Sequence, residues 1–396
     1  MCSLRRYPAG MTTRTEPGLL DALALLAQVA DEVLVDTARD THLAWVDRAH
    51  GLLDGPLGRT SVVTGHSHRV LARSLYGGVG LSMKGLTAGL DRAARSGAGP
   101  VMECGDRSRF ARSAVNGLIG DRLERERPRL AITMAPRVGD RDVPLTREGL
   151  AAAYPTAGGQ VAVFLHGLCE NDAYWRRGMA QRGTTYADEL AHLGWTPVML
   201  RANTGLPVRA NGAALAAVLD GLVTSWPTEV TRVALIGHSM GGLVIRAATA
   251  VHGEWTWRER VSDVVTLGTP HLGAPLAGGV KRGSELLRRL PELAGFGRIL
   301  DQRAAGVEDL ILGLDEDFAP LPHARYRLVS ATLTASPRHP VGAFFGDILV
   351  RQLSAYGRDR RGRNLFPGAD VLHLRGHHFD LLNDAAVAAA LQKWLA

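Results

Sequence analysis

One stretch narrows what this chain can fold into more than any other. The apolar residues Val233–Ile236 run directly into Gly237-His238-Ser239-Met240-Gly241-Gly242, and a helical apolar pattern follows at once to Val251. An unbroken apolar run that short reads as a strand buried on both faces, the signature of a parallel sheet covered by helices on both sides. A serine with glycine two residues to either side fits a tight, strained turn in which neighbouring side chains would collide. Such a turn lifts the serine oxygen to the carboxyl end of the sheet, and the helix N-terminus beneath it favours negative charge. The G-x-S-x-G reading needs this strand–turn–helix context, which makes Ser239 a candidate nucleophile. A second segment, Gly65-His66-Ser67-His68-Arg69, resembles it but lacks the second glycine and a strong preceding strand, and is read as non-catalytic.

The flanking sequence extends the same pattern. Leu130–Met134 and Asp142–Leu145 read as two short strands joined by a turn at Gly139. Strands and helices then alternate: Val161–Leu165, Thr184–Leu193, Thr196–Leu200, Asn211–Trp226, Arg232–Ile236 and Met240–Val251, then Ser262–Leu267, Tyr326–Ser330, Ala369–Leu374 and Asp384–Leu395. The expected fold class is α/β, a mostly parallel sheet with helices on both faces. Between Leu272 and Pro322 the alternation lapses into a basic, helical stretch, expected to form a cap or lid. Residues 1–129 read as a mostly helical N-terminal region of unassigned role, and 130–396 as the catalytic domain. Within the first region, Leu19–Val35 has the spacing of an amphipathic helix rather than a membrane span. Tyr76–Leu90 is either a closely packed helix or a surface that touches lipid, and the sequence leaves both readings open.

Composition excludes several classes. A chain of 396 residues that is 46% hydrophobic and 21% charged is a folded globular protein. Its three cysteines, Cys2, Cys104 and Cys169, are too few for a disulfide framework and fit a reducing cytoplasm. The first residues carry Arg5 and Arg6 but no apolar core, which makes a poor signal peptide. The net charge of +7 is spread along the chain. It reads as a solvated basic surface, with attraction to an anionic membrane as the sharper alternative; no nucleic-acid module accompanies it.

A serine nucleophile needs oxyanion donors, a base and a carboxylate to orient that base. After the strand Val161–Leu165 comes His166-Gly167-Leu168-Cys169, placed to supply one backbone donor. The donors are assigned to the amides of Leu168 and Met240. Gly167 lets the backbone approach the substrate, His166 is expected to brace the loop, and Cys169 and His238 to neighbour the site. In this fold the chain order is serine, acid, histidine. His378 in Gly376-His377-His378-Phe379-Asp380 is the preferred base, with His377 as its rival and His373 inside the strand. Asp347 in Gly346-Asp347-Ile348-Leu349-Val350 is the preferred acid, with Asp370 as its rival. Asp315 and Asp317 belong to the expected cap and read as solvated. His271, in Gly268-Thr269-Pro270-His271, is expected to hold its loop by hydrogen bonds or to touch substrate.

These segments together resemble the bacterial lipases and esterases of the α/β-hydrolase superfamily, in particular the inositol-deacylase-like (PGAP1-like) branch. Arg201-Ala202-Asn203-Thr204-Gly205 and His378-Phe379-Asp380-Leu381-Leu382 add to the likeness. The resemblance covers residues 130–396. It implies a carboxylic-ester hydrolase working through an acyl-enzyme, with no metal and no organic cofactor. Its expected substrates are small-molecule, lipid or polymeric esters, including polyesters. An acyltransferase or thioesterase with the same triad, or a ligand-binding protein on the same scaffold, are the alternatives. Peripheral membrane contact is the further partner expectation, and nucleic acid is not one.

Overall fold

The computed structural model describes residues 17–29, a few positions between 31 and 46, 59–98, 105–274, 305–314, 320–334, 347 and 349–396. The chain divides into two compact units, Met1–Ser108 with Gly278–Arg303, and Arg109–Ala277 with Ala304–Ala396.

The first unit is helical where it is described. Helix α1 (Leu19–Val29) and helix α2 (Arg59–Arg95) pack together. Small side chains make close packing cheap: Ala24 and Ala27 of α1 and Ala72 and Ala94 of α2 are buried. The remainder of α2 leaves Val70, Leu71, Leu75, Val79, Leu81 and Leu86 exposed. No helix among the described residues is long and apolar enough to cross a membrane.

The second unit is built on one sheet. Its strands are β1 (Ala135–Val138), β2 (Arg141–Asp142), β3 (Gln160–Leu165), β4 (Trp195–Arg201), β5 (Arg232–His238), β6 (Val261–Leu267), β7 (Arg325–Thr332) and β8 (Asp370–Arg375). They lie in the order β2-β1-β4-β3-β5-β6-β7-β8. From β4 to β8 every pairing is parallel; β1 runs antiparallel to β2 and β4. The connecting helices are α3 (Asp106–Glu126), α4 (Arg147–Ala153), α5 (Tyr186–His192), α6 (Val208–Ser225), α7 (Met240–Thr249), α8 (Ala305–Leu312) and α9 (Ala385–Leu395).

Strand alternation sends each apolar run into two cores. Val161, Val163, Leu165, Val233 and Leu235 join Leu215, Leu219, Leu222 and Leu243 from α6 and α7 on one face. Ala162, Phe164, Ala234 and Ile236 meet Tyr186, Leu190, Leu381, Leu391 and Leu395 on the other. Each large side chain so buried contributes about 1.5–3 kcal/mol. Strand β5 is therefore covered on both sides, as its unbroken apolar run requires.

The strands sit close to their expected positions except at the start. Leu130–Met134 is not a ladder strand; the pairing begins at Ala135. Leu130, Ile132 and Met134 are nonetheless buried at period two. Their backbone is satisfied by side chains of α3. Asn116 donates through Nδ2 to the Leu130 carbonyl (2.9 Å) and accepts from the Ile132 amide at Oδ1 (2.8 Å), as a neighbouring strand would. Arg112 adds donors to the Leu130 and Ala131 carbonyls. The expected strand Asp142–Leu145 shrinks to Arg141–Asp142, since Pro144 has no N–H to offer a ladder and Thr146 already caps α4. The compact unit that holds the sheet runs from Arg109 and includes most of α3.

Candidate active site

Ser239 stands between β5 and α7 with φ +51° and ψ −123°, a backbone conformation that non-glycine residues seldom adopt and that costs about 1–3 kcal/mol. Its surroundings hold it there. The Ser239 amide donates to the Leu267 carbonyl at the end of β6 (2.8 Å). A Cβ at Gly237 would lie 2.6 Å from the Gly242 nitrogen, and one at Gly241 would lie 2.3 Å from the Leu165 carbonyl oxygen. These two glycines let strand, turn and helix pass one another.

The loop after β3 reaches the same point. A Cβ on Gly167 would approach the Ser239 Cβ to 2.9 Å. The amides of Leu168 and Met240 donate to no protein acceptor among the described residues. Met240 opens α7, where the first N–H groups have no partner in the helix. Cys169 follows with φ +61°; its amide donates to Thr204 Oγ1 (3.1 Å), and its thiol points to the Ala114 carbonyl of α3 (3.7 Å). Burial pushes that thiol up to about 11, so at neutral pH it is a packing group rather than a nucleophile.

Two imidazoles flank the turn. His166 accepts the Ala202 N–H at Nε2 (3.1 Å), which leaves Nδ1 protonated and donating to the Gly167 carbonyl (2.9 Å). Burial is the largest influence on this ring and holds it below its ordinary pKa, so it stays neutral. His238 is fully buried and places Nδ1 3.0 Å from a Glu170 oxygen.

His378 lies just beyond β8 and is buried. Its Nδ1 donates to Asp347 Oδ2 at 2.7 Å, and its own amide donates to the Asp347 carbonyl at 3.2 Å. Asp347 Oδ1 accepts the amides of Leu349 (3.0 Å) and Val350 (2.8 Å), which fixes the carboxylate plane. The His378 ring also borders Gly268, where a Cβ would come within 3.1 Å of Nδ1, and its centroid is 4.7 Å from that of His238. The elbow, the loop after β3 and the Asp347–His378 couple therefore gather at the carboxyl ends of the central strands.

The rival residues fall elsewhere. His377 is exposed and opens a short turn with Asp380. His373 faces Gln352 and Thr332, and Asp370 is exposed at the start of β8. Asp315 and Asp317 lie outside the described residues. His271 is buried against the edge of Phe366, with Nε2 3.2 Å from Thr266 Oγ1 and its carbonyl accepting from Arg246. Burial keeps it well below the ordinary histidine pKa, so it is a neutral anchor of its loop. Most of the expected cap at 272–322 also lies outside the described residues. Its described helix α8 packs on the chain after β4: the Gly306 amide donates to the Gly205 carbonyl (3.1 Å), and Asp309 Oδ2 accepts the Val208 amide (2.6 Å).

Sequence reasoning missed Glu170. A carboxylate in a turn reads as solvated, yet this one is buried. The signal that could have exposed it is the pair of histidines, His166 and His238, that two apolar strands deliver to one place without a visible counter-charge. Among the described residues no group of three histidine, cysteine or acidic side chains could hold a metal ion.

Comparison with known proteins finds a partial family match and distant structural likenesses. The family described as "PGAP1-like alpha/beta domain" matches residues 213–283, which span the elbow. No curated protein matches significantly. Among solved structures, the mature form of a Bacillus licheniformis lipase, BlEst2, is 22% identical, over 60% of this chain and 92% of that one, with a TM-score of 0.41. The Pyrococcus furiosus esterase Pf2001 is 14% identical over 61% and 83%, at 0.38. A lipase-esterase related protein from Clostridium acetobutylicum is 13% identical over 60% and 93%, at 0.36. The chain has a mostly parallel α/β sheet covered by helices, and over residues 213–283 it resembles the PGAP1-like alpha/beta domain.

Proposed function

We propose that this chain is a serine carboxylic-ester hydrolase. The observation that carries the reading is the strained Ser239 turn set beside the 2.7 Å Asp347–His378 contact, with both groups at one sheet edge. In this reading the Ser239 oxygen attacks the ester carbonyl carbon and His378 Nε2 takes its proton. The Leu168 and Met240 amides receive the negative charge that develops on the carbonyl oxygen. His378 then returns the proton to the departing alcohol and an acyl-enzyme remains. Water, deprotonated by the same imidazole, attacks the acyl carbon; the bond to the Ser239 oxygen breaks, that oxygen takes the proton back from His378, and the acid leaves. In this reading the Asp347 carboxylate holds Nδ1–H and so turns Nε2 toward the serine.

Apolar acyl esters or polyesters are the proposed substrate class, on the leucines that run through the basic stretch after Leu272. The test is hydrolysis of p-nitrophenyl esters of graded chain length, together with labelling by a fluorophosphonate. Turnover and labelling at Ser239, both lost in Ser239→Ala, are expected. Absence of turnover in the unaltered chain, or a Ser239→Ala variant as active as its parent, would remove the reading.

A further inference from the structure

Beneath the serine lies a second carboxylate–imidazole couple that the proposed reaction does not consume. Glu170 is 3% exposed and His238 is 0% exposed. His238 Nδ1 sits 3.0 Å from Glu170 Oε2, and that oxygen also accepts the Gly167 amide at 2.7 Å. The other ring nitrogen, Nε2, faces the backbone carbonyl of His378 at 3.3 Å. Both ring nitrogens therefore face acceptors, so both carry protons. Burial alone drives the His238 pKa down; the charge and hydrogen bond of Glu170, the His378 carbonyl and Asp347 outweigh it and raise the group above its ordinary value. Burial likewise drives Glu170 up, and the charge and hydrogen bond of His238 with the Gly167 amide overcome this to hold it low. The result is an ion pair, the form in which two buried charges with satisfied hydrogen bonds persist.

The pair sits where three catalytic pieces meet. Gly167 is gripped at both ends of its backbone: its N–H by Glu170, its carbonyl by His166 Nδ1 and by the Glu170 amide (3.2 Å). A Cβ added there would come within 2.9 Å of the Ser239 Cβ and 3.1 Å of the Glu170 carboxylate oxygens, so only glycine fits between them. Its neighbour Leu168 carries the candidate oxyanion donor. His238 precedes the nucleophile in the chain and bonds the backbone of His378. We propose that Glu170 and His238 are positioning residues that tie the oxyanion loop to the serine turn and to the catalytic histidine. This inference rests on the ester-hydrolase reading above.

The discriminating variants are Glu170→Ala and Glu170→Gln. A glutamine can offer its carbonyl to Gly167 N–H and its amide to a neutral His238, whose Nε2–H still reaches His378. The expected result for Glu170→Ala is a kcat on p-nitrophenyl butyrate lower by about 100-fold, the scale of an ångström-sized misplacement. The KM should stay within about threefold, since the loss falls on the transition state. Binding of phenylboronic acid, which forms a tetrahedral adduct on a reactive serine, should weaken in step with kcat. Glu170→Gln should recover kcat to within about tenfold of the parent. If Glu170→Ala does not fold, His238→Gln carries the same test, because it cuts the link to His378, and the same fall in kcat at constant KM is expected. Parental kcat in Glu170→Ala, a kcat loss without weaker boronate binding, or no recovery in Glu170→Gln would overturn the proposal. An inactive parent chain would overturn the hydrolase reading instead, so the two failures are distinct.

Discussion

The chain spells Gly-His-Ser twice, and the two copies end in opposite structures. Gly65-His66-Ser67 lies within helix α2, with the side chains of His66 and Ser67 exposed. Gly237-His238-Ser239 ends a buried strand, with His238 fully enclosed and Ser239 in positive φ. Identical tripeptides thus become a plain helical turn in one place and a strained elbow in the other. The difference lies outside them. Behind Gly237 stand four strand residues covered on both faces, and beyond Ser239 stand two glycines that allow the backbone to pass Leu165 and Thr269. Behind Gly65 the sequence carries no such apolar strand, and after Ser67 come His68 and Arg69, which continue the helix. Strain is held only where packing over-determines it.

The comparison can be tested in pairs. Ser239→Ala should lower kcat on p-nitrophenyl butyrate by about 10⁶-fold, the loss of a nucleophile in a working triad. Ser67→Ala should leave kcat unchanged; a loss in both, or in neither, would erase the distinction. Asp347→Asn should cost about 10⁴-fold in kcat, as the imidazole loses the partner that sets its tautomer. The same assay reads it, and a mild effect would point to a different acid.

Glycine substitutions sharpen the contrast further. At Gly241 an added methyl would meet backbone oxygens of Leu165 and His166 at 2.3 and 2.7 Å, so Gly241→Ala should cost about 100-fold in kcat by displacing the loop after β3. At Gly77, on the exposed side of α2, nothing lies within 4 Å, so Gly77→Ala should strengthen the helix by about 1 kcal/mol, read as a higher urea midpoint. The smallest expected effect is on the pH dependence of stability. Glu170 has its pKa lowered from 4.5, so its contribution is present above 4.5 and fades as pH falls through the depressed native value. His238 is raised from 6.5, so its contribution is full below 6.5 and fades as pH rises through the elevated native value. The stability margin of the parent over Glu170→Gln should therefore peak between pH 4.5 and 6.5 in urea titrations. A margin independent of pH would mean that the pair is not ionised.

The core strands and the elbow were legible because each was written as an unbroken local pattern. Val233–Ile236 states its own burial, and the glycines state the turn. Asp347 and His378 were legible from chain order and position after late strands, although their 2.7 Å contact is a property of the fold. What stayed hidden depends on side chains acting across distance. Helix α3 joins the sheet unit through Asn116, Gly117 and Gly120, polar and small residues that leave no apolar stripe to read. Leu130–Met134 carries a true period-two signal, yet its hydrogen-bond partner is an asparagine side chain and not a strand. Glu170 was missed because its burial is set by His238, which lies far along the chain.

The substitution of a side-chain amide for a neighbouring strand has a practical consequence. A shortened chain starting at residue 130 would keep every strand but lose Asn116, stranding the Leu130 carbonyl and the Ile132 amide at the rim of the sheet. It would also open the floor under Cys169 and Asn203, where Gly117 and Gly120 now fit within van der Waals contact. Trimming to the sheet unit by sequence likeness alone would thus cut through its foundation; the smallest self-sufficient form of that unit has to retain α3.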